Sequence, residues 1–582
     1  MKFSVLALDF DGTIARSDRL DPDVRQAIAA VRRQGIVVVL VTGRILEDLR
    51  AATGGLHFVD AVVAENGAVV EFPASGHVAT YGEAPLPELV AELTRAGIAF
   101  DVGSVVVEAS ASDAHAILAI IRQLELPLSI AFNRGRLMVL PQTISKSTGL
   151  RNALVVLRLS PHNAVAIGDA ENDHELLKAC EVGVAVGWGS EALKAAADYV
   201  LPGDGPSAVA AYVRGLADQQ QLPASTQGRR RLRLGHTTDG RPMELAIHGR
   251  NVLVAGDPKS GKSWASGLMC EQLILHGYSL CVIDPEGDYS SLEALPGVSV
   301  LGGAIPLPPP GDVVRALRHA DTSVVVDLSR AGHAAKSEYV RALLPALAAL
   351  RRHTGLPHRI VLDEAHYFLQ DEDAPRLLDL ELNGYMLVSY RASKLHQGAL
   401  AATQAVVVTR ESDPHEVRAL FALCAACSGR WSLNEWTDIL GNLTLSEAAV
   451  QPITDDAQGD IRRITLAPRL TPHVRHQAKY IDVPVIDAHA FVVWIDDTRP
   501  SRRIRTLRGL VDLLEAVGPR AIDGHLRRHD FSRWIADVFG DYPLAETVRG
   551  LEREHGSGDR PDPTDVIAQA IRSRYEFLEG TD

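Results

Sequence analysis

Two groups of residues in this 582-residue chain have the types and spacing for phosphate chemistry. The first begins in Leu6-Ala-Leu-Asp9-Phe-Asp11-Gly12-Thr13. A carboxylate that attacks phosphorus must be ionised, its dianionic target must be neutralised, and the leaving oxygen must receive a proton. Asp9 ends an apolar run that reads as a strand, at the carboxyl edge where open α/β sheets bind ligands. Asp11, two residues on, is suited to act as acid and then as base, and Gly12 permits the turn. Thr42, in Val39-Leu-Val-Thr42-Gly43-Arg44, follows a second strand and can bond a phosphoryl oxygen, while Lys146 precedes a helix. Gly168-Asp169-Ala-Glu-Asn172-Asp173 follows another apolar strand and adds two acids. Carboxylates grouped in this way repel one another unless a hard cation joins them, and Mg²⁺ fits that need.

The second group is Gly256-Asp257-Pro258-Lys259-Ser260-Gly261-Lys262-Ser263, preceded by Val252-Leu-Val-Ala255. A glycine-rich turn between a strand and a helix presents backbone amides to a phosphate. Lys262 would neutralise the outer phosphate oxygens and Ser263 would ligate Mg²⁺. Hydrolysis also needs an acid on the metal and a group that orients water. Ile360-Val-Leu-Asp363-Glu364-Ala-His366 offers Asp363 for the first and Glu364 for the second. Asp284, in Val282-Ile-Asp284-Pro-Glu286-Gly287-Asp288-Tyr289, ends the next strand and is a further candidate beside the nucleotide.

Positioning these residues takes alternating strands and helices, and the chain reads as α/β multidomain. Residues 1–215 form one parallel-sheet region, 216–233 a polar linker, 234–495 a second α/β domain, and 500–582 a small helical domain. Strands of the second region are expected at 251–255, 279–283, 323–328, 359–362, 385–389 and 405–409.

In their order the first four segments resemble the haloacid dehalogenase-like phosphatases, over residues 1–215. That resemblance implies a Rossmann-like domain in which Asp9 becomes an aspartyl-phosphate and Asp11 is the acid and base. Thr42 and Lys146 would bind the phosphoryl group. Mg²⁺ would be held by Asp9, Asp169 and the backbone carbonyl of Asp11, with Asp173 in support. Glu65-Asn66-Gly67-Ala68 looks like the branch carrying a cap between the second and third segments, here a small α/β cap at about 80–142. Gly43, Arg44, Asn66 and Asn172 are then candidates for holding the substrate. Caps exclude water and select substrates.

The phosphate loop, DPEGDY, VVVDLS, LDEAH, Leu387-Val-Ser389-Tyr390-Arg391 and Val406-Val-Val-Thr409-Arg410 resemble the HerA/FtsK-type ATPases, over about 235–480. This implies a RecA-like domain using ATP and Mg²⁺, a homo-oligomer expected to be a hexameric ring, and DNA or another nucleic acid as partner. Relatives often carry Gln where Ser389-Tyr390-Arg391 stands, which leaves this chain's γ-phosphate sensing unassigned. Arg391 and Arg410 are the candidates for an arginine supplied to a neighbouring subunit. The expected activity is therefore a phosphomonoester hydrolase fused to an ATPase motor. The alternatives are a small-metabolite phosphatase with a regulatory ATPase half, or a low-turnover sensing module that gates an assembly.

Bulk properties narrow the partners. The formal net charge of −14 argues against a wholly basic nucleic-acid surface, though Arg229-Arg-Arg-Leu-Arg233 is a local basic run. No apolar run approaches the roughly 20 residues needed to span a bilayer, so no membrane partner and a cytoplasmic location are expected. Five cysteines give no disulfide framework. Cys424 and Cys427 have metal-ligand spacing but lack a second pair, and helical packing is expected there. The basic stretch 469–480 could contact a phosphate backbone or a neighbouring subunit. His525, His529, Asp530 and Trp534 mark the helical module.

Overall fold

Runs of Val, Ile, Leu and Ala with no polar alternation suit strands buried on both faces, and they form the centres of two parallel sheets. The structure is a computed structural model. It describes residues 2–16, 18–133, 135–219, 221–222, 230–246, 250–303, 305–424, 431–452, 461–471, 485, 489–495, 499–539 and 541–574.

The first sheet has eight strands, ordered Tyr199–Leu201, Val182–Val186, Ala164–Gly168, Val5–Asp9, Val37–Val41, Ala61–Ala64, Val69–Phe72 and His77–Thr80. The first six are parallel and the last two antiparallel. From Val5–Asp9 the chain winds toward 61–64, then returns to the other side at 164–168. Asp9 therefore ends the strand at the topological switch point, where such sheets open a ligand crevice. A separate four-stranded antiparallel sheet within 100–141, with helices Pro87–Arg95 and Ala114–Gln123, forms the cap.

The second sheet has eleven strands. Seven parallel strands run in the order Ala405–Val408, Val252–Ala255, Tyr385–Ser389, Arg359–Leu362, Leu280–Asp284, Ser323–Asp327 and Val298–Gly302. All six strands expected from the sequence are present. Four antiparallel strands, at 231–237, 242–246, 447–452 and 462–466, extend one edge. Val252–Ala255 connects through helix Lys262–Leu275 to a strand three positions away in the sheet, so the loop at 256–261 also lies at a switch point.

Three boundaries differ from expectation. Arg231–Thr237 is a strand of the second sheet rather than linker, because Leu232 and Leu234 are buried against its core. Phe491–Ile495 pairs with Arg499–Ile504 and not with the large sheet. Its Phe491 and Val493 pack with the C-terminal helices, so that domain starts with a hairpin and is not purely helical. Of the basic run, Arg229 lies outside the described residues, Arg231 and Arg233 are exposed, and Arg230 is not free. Arg230 donates to the carbonyls of Lys178, Ala179 and Cys180 and lies 3.4 Å from Glu181.

Arg230 belongs to a buried junction between the two sheets. Tyr278 donates to Glu181 at 2.9 Å, and His162 contacts Glu181 at 2.9 Å and the His276 carbonyl at 3.0 Å. His162, Glu181, Tyr278 and His358 each precede or begin a strand, so the amino ends of both sheets meet here. Their carboxyl ends, which carry the candidate sites, lie at the opposite ends of those strands.

In the C-terminal domain, Glu552 is fully buried and accepts from the amides of Phe531 and Ser532 at 3.1 and 3.3 Å. Burial pushes its carboxyl up from 4.5 to about 7. The folded state then binds more protons than the unfolded one between those values, so stability falls as pH rises through the window, by on the order of 3 kcal/mol. Hydrogen exchange in helix Tyr542–Ser557, corrected for its intrinsic rate, should show protection declining from pH 5 to 7. Glu552→Gln should flatten that decline.

Among the described residues no helix is long and apolar enough to cross a membrane. Cys180, Cys270, Cys281 and Cys424 are buried thiols, and Cys427 lies outside the described residues.

Candidate active sites

At the first sheet's carboxyl edge, Lys146 Nζ lies 2.6 Å from Asp9 Oδ1 and 2.7 Å from Asp173 Oδ1. Ser145 caps the helix that starts at Lys146, fixing where the ammonium enters. Asp173 Oδ2 accepts from the amides of Asp169 and Ala170 at 3.0 and 3.1 Å. Carboxylate oxygens of Asp9, Asp169 and Asp173 lie within 4.8 Å of one another, and all three residues are buried. Burial first, then repulsion from Asp173 and Asp169, holds the Asp9 carboxyl well above the ordinary aspartate range despite Lys146. Burial opposes the charge on Lys146, but Asp173 and Asp9 outweigh it and raise its pKa.

Three carboxylates against one ammonium leave a formal charge of −2 in a buried space. Asp9 Oδ2 is buried with no hydrogen-bond partner. An oxygen-preferring divalent cation answers both observations, so the residues fit Mg²⁺. Lys146→Met should destabilise the first domain by roughly 3–5 kcal/mol, because it strips a buried cluster of its cation. Urea unfolding with and without Mg²⁺ checks this, and added Mg²⁺ should recover part of the loss.

The other candidates of this site converge unequally. Thr42 is buried, and its Oγ1 accepts from the Arg44 amide at 3.2 Å. Arg44 lines the cavity between core and cap while its guanidinium is held by acids of the core. It clamps both oxygens of Asp11, with Nε at 3.0 and 2.8 Å, and also reaches Asp18. Asn172 Nδ2 lies 3.5 Å from Asn66 Oδ1 and close to where a Gly43 side chain would begin. Gly43 lets the end of the Met138 side chain from the cap approach closely, to 2.9 Å from where a Cβ would stand. A cavity of about 700 Å³ separates core and cap, with Asp11 and Arg44 facing Glu108, Asn133 and Arg136. Sequence reasoning missed Glu65 as the cap's anchor. Its carboxylate accepts from the amides of Ser104 and Val105, both at 3.0 Å, and Gly103 leaves room for it.

At the second sheet, Gly256 and Gly261 have φ values of 144° and 107°, which side-chain-bearing residues rarely adopt. A Cβ on Gly256 would meet Thr409 Oγ1 at 2.2 Å. Lys259 also has positive φ, and Ser260 Oγ bonds Thr409 Oγ1. Lys262 Nζ donates to the carbonyls of Gly256 and Asp257 at 3.0 and 2.8 Å, and Tyr390 faces it at 5.8 Å. Ser263 Oγ donates to Asp288 Oδ2 at 2.7 Å.

That last contact corrects the reading of Asp284. Its two oxygens accept the amides of Glu286, Gly287, Asp288 and Tyr289 at 2.8–3.2 Å, so it shapes the loop instead of facing a nucleotide. Asp288 is the acid the loop delivers to Ser263, and four residues of spacing gave no sign of it. Asp363 and Glu364 are buried at the end of their strand. His366 bridges toward Ser389 at 3.0 Å and Glu364 at 3.6 Å, tying the two neighbouring strand ends. Arg410 sits 3.6 Å from Asp257 of its own phosphate loop. Arg391 lies over the Tyr390 ring.

Of the basic stretch 469–480, Arg469 is a buried structural residue bonded to Glu271 at 2.8 Å, and residues 472–480 lie outside the described residues.

Comparison with known proteins covers the first domain. The model of the haloacid dehalogenase-like hydrolase family matches residues 6–95 and 98–213. A phosphoglycolate phosphatase of Methanosarcina acetivorans is 31% identical over 231 residues, 35% of this chain and 94% of that protein. Another, of Natronomonas pharaonis, is 32% identical over 208 residues, 34% of this chain and 89% of its own length. A solved haloacid dehalogenase-like hydrolase from Bacteroides thetaiotaomicron aligns at 20% identity with a TM-score of 0.33, covering 37% of this chain and 100% of its own. Through its first 213 residues, with their clustered acids and bridging lysine, the chain belongs to the haloacid dehalogenase-like hydrolases.

Proposed function

We propose that the chain is a bifunctional hydrolase, with a Mg²⁺-dependent phosphomonoesterase in the first domain and an ATP-hydrolysing centre in the second. The observation that carries the first activity is Asp9 at the switch point, bridged by Lys146 to Asp173. Asp9 Oδ attacks phosphorus while the P–O bond to the leaving group breaks, and Asp11 gives that oxygen its proton. Asp11 then takes a proton from water, which attacks the aspartyl-phosphate, releases phosphate and restores Asp9. Thr42 and Lys146 hold the phosphoryl oxygens. Mg²⁺, held by Asp9, Asp169, Asp173 and the Asp11 carbonyl, would supply charge neutralisation. Asp11 must be released from Arg44 to reach a leaving group, and a substrate entering under the cap is the natural trigger.

A small phosphorylated metabolite suits the capped cavity better than a polymer end. The phosphoglycolate phosphatases among the relatives make phosphoglycolate the first compound to try. The second activity is supported by the loop's left-handed glycines, Lys262 at its head and the Ser263–Asp288 pair. On this reading Asp363 joins Ser263 on Mg²⁺, Glu364 orients water, and a homo-oligomeric ring acts on nucleic acid. Phosphate release from phosphoglycolate, sugar phosphates and 5′-phosphorylated oligonucleotides, with and without Mg²⁺, tests the first proposal. Turnover on none of them would leave only the sensing-module reading. ATP hydrolysis by the same preparation tests the second.

A further inference from the structure

Residues 499–508 hold five arginines, in a chain whose formal net charge is −14. Most of this run is the strand Arg499–Ile504, which pairs with Phe491–Ile495 as an exposed two-stranded ribbon. Ile504 is buried and anchors the ribbon to the C-terminal core, while Arg502 and Arg503 are exposed. Among the described residues no ion pair holds either of them.

Beside the ribbon lies a cavity of about 420 Å³ walled by Phe491, Trp494 and Trp534, with Arg528, Arg533, Asp530 and Asp537 also lining it; Arg528 is held by Asp530 at 3.1 Å, and Arg533 lies 3.9 Å from it. Trp494 is 41% exposed. Its amide donates to His525 Nε2 at 2.8 Å, and His525 Nδ1 bonds Asp530 at 2.8 Å, so the cavity wall is fixed. Arg503 is the register partner of Val492, which also lines the cavity. Directly opposed residues share a face of a ribbon, so Arg503 stands on the cavity side.

An exposed indole and a second aromatic wall offer a stacking surface to any nucleobase, and Arg503, which no acid among the described residues holds, can neutralise a backbone phosphate beside them. An acidic protein or an anionic membrane would use the arginines but leave the planar walls without purpose. We propose that this face of the C-terminal domain binds single-stranded nucleic acid, a base stacking on Trp494 and phosphates meeting Arg503 and Arg533. The inference gives the nucleic-acid partner of the proposed motor a docking surface, yet it requires no nucleotide hydrolysis.

Fluorescence anisotropy of a labelled oligothymidylate with the full chain, without ATP, tests it independently of the central site. Binding should weaken steeply with salt. Arg503→Ala/Arg533→Ala should lower affinity at least about tenfold and reduce the slope of log K against log salt by about 1.4. Trp494→Ala should cost about tenfold with the slope unchanged. Phosphate release by the first domain should stay at the parent value in these variants, and tryptophan near-ultraviolet circular dichroism for the arginine variants, with a cooperative unfolding transition for Trp494→Ala, should show that the C-terminal domain folds. The proposal is overturned if the parent binds no oligonucleotide at low salt, or if the variants bind as the parent does. It is equally overturned if phosphatidylserine vesicles bind through these arginines and the oligonucleotide does not.

Discussion

Asp9→Asn is expected to lower phosphomonoester turnover by at least about 10⁴-fold, since an amide cannot take up the phosphoryl group and no neighbouring carboxylate can replace it. Asp169 and Asp173 are near enough to share a cation, but Asp173 is committed to Lys146 and to two backbone amides. The same change should leave the fold intact or stabilise it in Mg²⁺-free buffer. Asp9 is buried among like charges with one oxygen unpartnered, so replacing it with a neutral isostere removes repulsion. A catalytic group held at a cost to the folded state shows this combination of lost activity and retained or raised Tm. Phosphate release and thermal unfolding, measured on one preparation, check both halves. Turnover surviving in Asp9→Asn would mean that another group attacks phosphorus.

Much of this was legible in the chain because both sites sit where short apolar strands end. Val5–Asp9 and Arg359–Leu362 are fully buried on both faces, and such strands appear as unbroken Val, Ile and Leu runs. Antiparallel edge strands lack that signature. Arg231–Thr237 alternates exposed arginines with buried leucines, and its composition reads as a basic linker until Gln272 and the 462–466 strand supply its partners. Side-chain commitments were less legible than strands. Asp284 and Asp288 are both acids after one strand, and only the loop's path shows that the first binds four amides while the second reaches Ser263. Arg44 lines the cavity as a substrate ligand would, but its ties to Asp11 and Asp18 could not be seen beforehand because those acids come from a distant segment.

The junction between the sheets bears on whether the two centres act independently. Glu181, Tyr278 and His162 are almost wholly buried and Arg230 partly so, and removing one partner would leave others without compensation. The halves are therefore fastened at the amino ends of their strands, with the chemistry at the far ends. A substitution at one carboxyl edge changes charge and contacts locally, and nothing in the junction needs to move.

Lys262→Ala should accordingly abolish ATP hydrolysis while leaving phosphate release by the first domain within about twofold of the parent. The lysine is buried at the head of its helix and its ammonium lies on the loop carbonyls of Gly256 and Asp257, beside Tyr390. Removing it takes away the only loop side chain with a fixed positive charge that is buried in the loop, and roughly 10²- to 10³-fold of turnover should go with it. Binding of a fluorescent ATP analogue, measured with Mg²⁺ present, should weaken in parallel. Light scattering with and without ATP then tests the ring, which should assemble in the parent. A parent that hydrolyses ATP but stays a monomer under every condition would leave the nucleotide site standing and remove the motor. If Lys262→Ala instead silenced both activities in a folded chain, the two centres would have to be coupled through the Glu181–Tyr278 junction.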